Sequence, residues 1–300
     1  MLDLRRLHVL RAVARAGSLS GAARTLDYTQ PAVSHHIARL EAEVGTALLV
    51  RNGRGVRLTD AGRALVEHAD VVLARLAIAE DEIAAIAGLR AGRVRVAAFP
   101  SASATLVPVA TRTLQDGAHG ISVSLVEAEP PEALALLSGG EVDVAVAFGY
   151  PEAALTSTAD LEVVPLLEDE LFVALPGGRR GRRVNLSTLA GETWIAGCER
   201  CRAHLLRLAA EAGFQPEIAF ATDDYVTVQA LVAAGLGVAL LPALAIGAAR
   251  RDDISVLPLA EPATRQIAAV VAAGPRHPPA VSAMIDALRS ASANLRSSPR

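Results

Sequence analysis

The chain predicts an α/β protein: a basic helical head, one long helix, and a larger body of alternating strands and helices whose pattern restarts part-way along. Three observations carry this. Within residues 1–58 nine arginines stand against four acids, a net +5, while the whole chain is −3, so the rest carries −8. Residues 59–86 repeat apolar positions at heptad spacing without a break. Beyond residue 90, eight short β-rich apolar runs are separated by helical stretches, and the alternation begins again near residue 166. A basic head on an acidic body points to a nucleic-acid module joined to something else.

The head reads as follows. Leu4, Leu7, Leu10 and Val13 recur at helical spacing and stop at Gly17. Ser18 is an N-cap for a short helix striped by Leu19, Ala22, Ala23 and Leu26. After the turn Asp27-Tyr28, Thr29 caps a second helix, with Pro31 in its first turn and Gly45 at its end. Its stripe is Val33, Ile37, Leu40 and Val44, which leaves Gln30, Ser34, His35 and Arg39 on other faces. Two short helices with a tight turn make a helix-turn-helix, and the second helix of such a motif enters the major groove. Gln reads adenine edges; Ser and His serve bases or phosphates. The same spacing also suits a plain helical hairpin with a solvated face. Residues 48–51 and 55–58 then flank Asn52-Gly53-Arg54 as a hairpin lined by Arg51, Arg54 and Arg57, placed for phosphates or a minor groove. Thr59 caps the long helix, whose Leu65, Ala69, Val72, Leu76, Ala79, Ile83 and Ile86 alternate 4-3 and predict a seam for a partner helix.

Residues 1–88 resemble the N-terminal region of LysR-type transcriptional regulators. The resemblance is carried by AVARAGSLSGAARTL, TQPAVSHHIARLEAEVG, ALLVRNGRGVRLTDAGRAL and the long helix, and extends more weakly through nearly the whole chain. It implies a winged helix-turn-helix over residues 1–58 and a dimerising linker helix over 59–88. It also implies an effector-binding domain over 89–300 whose two lobes resemble a periplasmic binding protein. Lobe one is then about 89–163 and 266–300, lobe two about 164–265. By position, Ser18, Thr29, Gln30, Pro31, Ser34, His35, His36 and Arg39 are the expected DNA-facing residues, with Arg51 and Arg54 on the wing. His35-His36 stands where the family often has Arg-Gln, which bears on base preference. The implied partners are double-stranded DNA, a small-molecule effector, RNA polymerase, and a second copy of the chain, as a dimer or dimer of dimers.

In the body, ligand contacts are expected at strand C-terminal ends and helix N-termini between the lobes. Ser101, Ala102 and Ser103 follow the first strand; their hydroxyls suit either an effector or a helix cap. Glu129 follows the second, beside Pro130, which has no N–H to offer. Phe148 ends the third. In lobe two come Cys198, Cys201 and Arg202, then Thr222 and Asp223. The stretch Gly197-Cys198-Glu199-Arg200-Cys201-Arg202-Ala203-His204 holds both cysteines. It reads as pocket wall and packing, as a thiol sensor, or as a partial metal site. Two cysteines in 300 residues make no disulfide framework.

Enzymes are disfavoured: there is no GxSxG, HExxH, GxGxxG or phosphate-loop lysine, and no catalytic set, resident metal or cofactor is expected. A thiol oxidoreductase built on the CxxC leaves the basic head unexplained. A solute-binding protein fits residues 90–300 but needs export, and the start MLDLRRLHVL predicts no signal peptide. No apolar run approaches the roughly 20 residues of a membrane span. A cytoplasmic regulator is the expectation.

Overall fold

The computed structural model describes residues 2–52, 55–86, 92–117, 120–179, 181–274 and 277–297. The chain forms two compact units, residues 1–86 and, apart from 138–141, residues 87–300. The expected boundary at 88/89 lies outside the described residues.

In the first unit α1 (Leu4–Ala16), α2 (Leu19–Thr25) and α3 (Gln30–Val44) precede a hairpin of β1 (Leu49–Asn52) and β2 (Gly55–Leu58), then α4 (Asp60–Ile86). The punctuation is local chemistry. Ser18 Oγ accepts from the Gly21 N–H at 3.0 Å and Thr29 Oγ1 from the Ala32 N–H at 3.4 Å, each satisfying a helix-start donor. Gly17 and Gly45 end α1 and α3 at φ 61° and 73°, the left-handed region that costs glycine nothing. Between α2 and α3 the chain turns through Asp27 at φ 55°, which an aspartate tolerates better than most residues. Leu7, Leu10 and Val13 of α1 pack with Ala22 and Ala23 of α2 and Val33, Ile37 and Leu40 of α3. Glu41 on α3 accepts the Leu48 and Leu49 N–H groups at 2.8 and 3.2 Å, which fixes the hairpin to α3.

On α4 the first heptad turns inward: Leu65 and Ala69 join this core. Val72, Leu76 and Ile83, later on the same seam, are 45%, 39% and 67% exposed in the single chain. That is the face a partner helix would cover.

The second unit runs β3 (Arg93–Ala98), α5 (Pro100–Ala104), α6 (Leu106–Gly117), β4 (Ser122–Glu127), α7 (Pro130–Ser138), β5 (Val144–Gly149) and β6 (Leu161–Pro176). It continues with β7 (Thr193–Ala196), α8 (Glu199–Glu211), β8 (Glu217–Ala221), α9 (Tyr225–Ala233), β9 (Val238–Pro242), α10 (Ala243–Ala248), β10 (Ile254–Pro258), β11 (Thr264–Ala272) and α11 (Pro279–Ser297). The strand order is β4-β3-β5-β11-β6-β9-β7-β8, with β10 beside β6. Pairs β3–β4, β3–β5, β7–β8 and β7–β9 are parallel, as apolar strands joined by helices require. The pairs made by β6 and β11 are antiparallel, so the sheet is mixed where apolar runs alone predict mostly parallel. β6 joins the two groups of strands. β6 pairs with β11 over residues 161–170 and with β9 and β10 over 171–176.

Sequence patterning misses the first half of β6 because that half is exposed on one face, so Glu162, Glu168 and Glu170 interrupt its apolar run. It also misses β10, mostly half-buried, and α10, which is six residues long. Among the described residues no helix is long and apolar enough to cross a membrane.

Candidate functional site

Each unit carries one candidate site. In the first unit, α3 buries Val33, Ile37 and Leu40 and exposes Thr29, Gln30, Pro31, Ser34, His35 and Arg39. His36 is half-buried because its ring stacks on Tyr28, centroids 5.8 Å apart. Ser18 is half-buried as the α2 cap. Arg51 is described only as backbone of β1, and Arg54 lies outside the described residues.

In the second unit the site is organised around a residue that sequence reading does not single out. Arg265, at the start of β11, is 0% exposed. It stands opposite Asp169 of β6 in the strand register; its Nε donates to Asp169 Oδ2 at 2.9 Å, and its Nη2 forms an ion pair with the same oxygen at 2.8 Å. Nη2 also donates to Ser101 Oγ at 2.8 Å. Asp169 Oδ1 accepts the Leu244 N–H at 3.0 Å, tying α10 to the pair. The guanidinium lies over the rings of Phe148 and Phe99, 4.5 and 4.8 Å from their centroids, a cation–π sandwich. Burial opposes this charge, but the Asp169 carboxylate more than offsets it and the guanidinium stays protonated. Its Nη1 has no hydrogen-bond partner.

Some of the expected effector residues meet this centre and others do not. Ser101 and Ala102 are buried at the start of α5, and both serine hydroxyls are engaged: Ser101 by Arg265, Ser103 as a donor to the Ala98 carbonyl. Glu129, half-buried before α7, is pushed above its usual pKa by burial, and its Oε2 has no hydrogen-bond partner. Arg202 is exposed on α8 and stands apart. Thr222 Oγ1 accepts the Asp224 N–H, and Asp224 caps α9; Asp223 is exposed.

The cysteines sit at the start of α8. Cys198 is the N-cap residue, with its Sγ 3.5 Å from the Cys201 N–H. The two sulfurs, both free thiols, are 3.0 Å apart. Tyr150 Oη donates to Cys201 Sγ at 3.5 Å. The Cys198 thiol donates to Cys201, which lowers the Cys201 pKa to about 7, helped by the nearby Arg265 charge. The same bond raises Cys198. Of the two sulfurs, Cys201 is therefore the one that ionises first, while Cys198 keeps its proton. Beside Cys201 lies a cavity of about 20 Å³ lined by Tyr150, His204 and Tyr225 and walled by Ile195 and Leu241. His204 directs Nδ1 to Glu152 at 2.7 Å. Among the described residues no three His, Cys, Asp or Glu side chains converge to hold a metal ion.

Against this geometry the relatives can be set. Residues 4–63 match the bacterial regulatory helix-turn-helix family of lysR type, and residues 87–293 match the LysR substrate binding domain. The chain belongs to the LysR family of transcriptional regulators. It is 29% identical over 298 residues to the probable HTH-type transcriptional regulator LrrA of Synechococcus elongatus, covering 98% of this chain and 99% of that one. It is 30% identical over 279 residues, 90% of each chain, to a hydrogen peroxide-inducible genes activator of Pectobacterium carotovorum subsp. carotovorum. The fold matches a full-length OxyR variant from Pseudomonas aeruginosa with a TM-score of 0.74, at 22% identity and covering 96% and 95% of the two chains. This LysR regulator thus binds DNA through its helix-turn-helix and carries a small-molecule-responsive domain, as its sequence predicts.

Arg265, Asp169 and Glu152 are what sequence reading misses. Arg265 and Asp169 lie 96 positions apart, and each alone looks like a surface charge in a half-polar strand. The available signal is two β-strand charges of opposite sign on the two crossover strands, and it becomes specific only once the register is known.

Proposed function

We propose that this LysR regulator senses oxidising conditions through Cys198 and Cys201 and answers by changing how its helix-turn-helix holds operator DNA. The observation that carries this is the 3.0 Å separation of the two sulfurs. A disulfide bond is about 2.05 Å long, so oxidation needs a sulfur movement of about 1 Å, within one helix turn. The thiolate on Cys201 is the reactive form of a cysteine. The activator from Pectobacterium is named for hydrogen peroxide, which supports the same reading. A carboxylate effector beside the pair is disfavoured, because Asp169 already neutralises Arg265 and Glu129 adds an acid. The test is oxidation of the reduced protein with hydrogen peroxide. Expected are an intramolecular disulfide by mass, loss of thiol alkylation, a changed operator footprint, and reversal by dithiothreitol. Two cysteines still fully alkylated after exposure, with an unchanged footprint, would sink the reading.

For the DNA side we read residues 1–58 as the binding domain and 59–88 as the helix through which two copies pair. We read 89–300 as the effector domain, with lobe one about 89–163 and 266–300 and lobe two about 164–265. Ser18, Thr29, Gln30, Pro31, Ser34, His35, His36 and Arg39 form the DNA-facing set, with Arg51 and Arg54 on the wing. Exposure of the α3 residues as one face supports this. Arg39→Ala should weaken binding to all sequences about equally and reduce the salt dependence of log K by about one phosphate contact. Unchanged salt dependence removes Arg39 from the backbone contacts. A role on DNA supports a cytoplasmic location, and the named relatives being regulators supports a non-enzymatic reading.

A further inference from the structure

His204 is the polar group of this region that the redox pair alone leaves unexplained. It is 1% exposed, and its ring lies flat on Tyr150, centroids 3.8 Å apart and planes 10° apart. Two groups approach Nδ1: Glu152 Oε1 at 2.7 Å and Arg207 Nη2 at 3.4 Å. The shorter contact decides the tautomer. A carboxylate only accepts, so Nδ1 must carry the proton. Burial lowers the His204 pKa, and Glu152 only partly offsets this, so the ring is neutral near pH 7. Nε2 is then a bare acceptor, and it is buried without a partner. Leaving such a group unsatisfied is destabilising, so its retention needs a reason.

The cavity supplies one. His204 and Cys201, three residues apart on α8, line the same space, with the hydroxyl-bearing rings of Tyr150 and Tyr225 and otherwise apolar walls. A volume of about 20 Å³ exceeds the roughly 10–15 Å³ that seats one water but leaves no room for a branched carbon skeleton.

We infer that this cavity seats the oxidant, a neutral hydroperoxide no larger than hydrogen peroxide, which donates one O–H to His204 Nε2 and presents its oxygen to the Cys201 sulfur. This rests on the thiol-sensing reading above. In the first step the Cys201 thiolate attacks the bound oxygen; an S–O bond forms and the O–O bond breaks. The proton on the attacked oxygen passes by way of His204 Nε2 to the departing oxygen, which leaves as water. The resulting sulfenate takes a proton from solvent to become a sulfenic acid. In the second step the Cys198 sulfur attacks the Cys201 sulfur, the S–O bond breaks, and the Cys198 proton leaves with that oxygen as a second water. Two thiol electron equivalents are lost, and one peroxide is reduced to two waters. Glu152 is a positioning residue, holding the imidazole in the tautomer that accepts.

The experiment follows Cys198–Cys201 disulfide formation in the reduced full-length regulator by rapid quenching and alkylation. Hydrogen peroxide and tert-butyl hydroperoxide are each normalised to their rate with free cysteine. In the wild-type protein the bulky hydroperoxide should be slower by at least about tenfold, because it does not fit the cavity. In His204→Phe, which keeps the ring stack on Tyr150 but removes the acceptor, the ratio of peroxide-driven to diamide-driven linkage should fall by about tenfold. Equal normalised rates for the two hydroperoxides, or a wild-type ratio in His204→Phe, overturn the inference. If His204→Phe does not fold, the wild-type comparison decides alone. If no oxidant, diamide included, links the cysteines, the thiol-sensing reading itself has failed and this inference falls with it.

Discussion

Asp169→Ala destabilises the effector-binding unit by about 3–5 kcal/mol, seen as a lower denaturant midpoint. The figure is large because of what remains. Arg265 is 0% exposed and always charged, and its removal from water is compensated chiefly by Asp169. Without that carboxylate the guanidinium keeps Ser101 Oγ and two aromatic faces but loses its hydrogen-bonded counter-charge. The Leu244 N–H at the head of α10 is orphaned as well. The double variant Asp169→Ala/Arg265→Met separates this cost from the value of the pair. A thioether between Phe99 and Phe148 fills much of the same space, and replacing a buried ion pair by apolar residues is often near neutral. The double variant should therefore recover most of the lost stability. A double variant as unstable as Asp169→Ala would mean that shape, not the stranded charge, dominates.

Cys201→Ser abolishes disulfide formation and should cut the initial reaction with hydrogen peroxide by about tenfold or more at pH 7, because burial and the neighbouring Glu129 still keep the remaining Cys198 thiol protonated. Cys198→Ser behaves differently. A serine hydroxyl still donates to the Cys201 sulfur, so the thiolate survives and oxidation halts at a sulfenic acid that dimedone traps. The pH profile gives the sign. The Cys201 pKa lies at about 7, below the ordinary thiol value, so wild-type reactivity falls as pH drops through 7 and levels off above it. Equal loss in the two serine variants, or a profile still climbing beyond pH 8, would reassign the nucleophile.

The DNA-binding half was legible because its information is local. Ser18, Thr29, Gly17 and Gly45 act within a few residues of themselves, and the Val33-Ile37-Leu40 stripe shows which α3 side chains must face outward. The sensing half was legible only as a list of candidate loops. Cys198 and Cys201 announced themselves by spacing, and their place at the start of α8 followed from the strand before them. Arg265 against Asp169, and His204 against Glu152, are products of register and long-range packing over 96 and 52 residues. The Ser101 hydroxyl illustrates the gap. As sequence it invites a ligand; in the fold it already holds an arginine.

The paired ribbon of β6 and β11 has a practical consequence. Residues 163/164 and 265/266 sit inside continuous strands, and the one irregularity in their pairing falls between Ile267 and Ala268. Neither lobe is therefore a separable cassette. A fragment cut at those positions would sever two strands in mid-run and expose unpaired backbone edges of the kind that drive aggregation. Exchanging sensing specificity between regulators of this build is better done by replacing residues 87–300 whole, or by grafting loops such as 197–204, than by swapping a lobe.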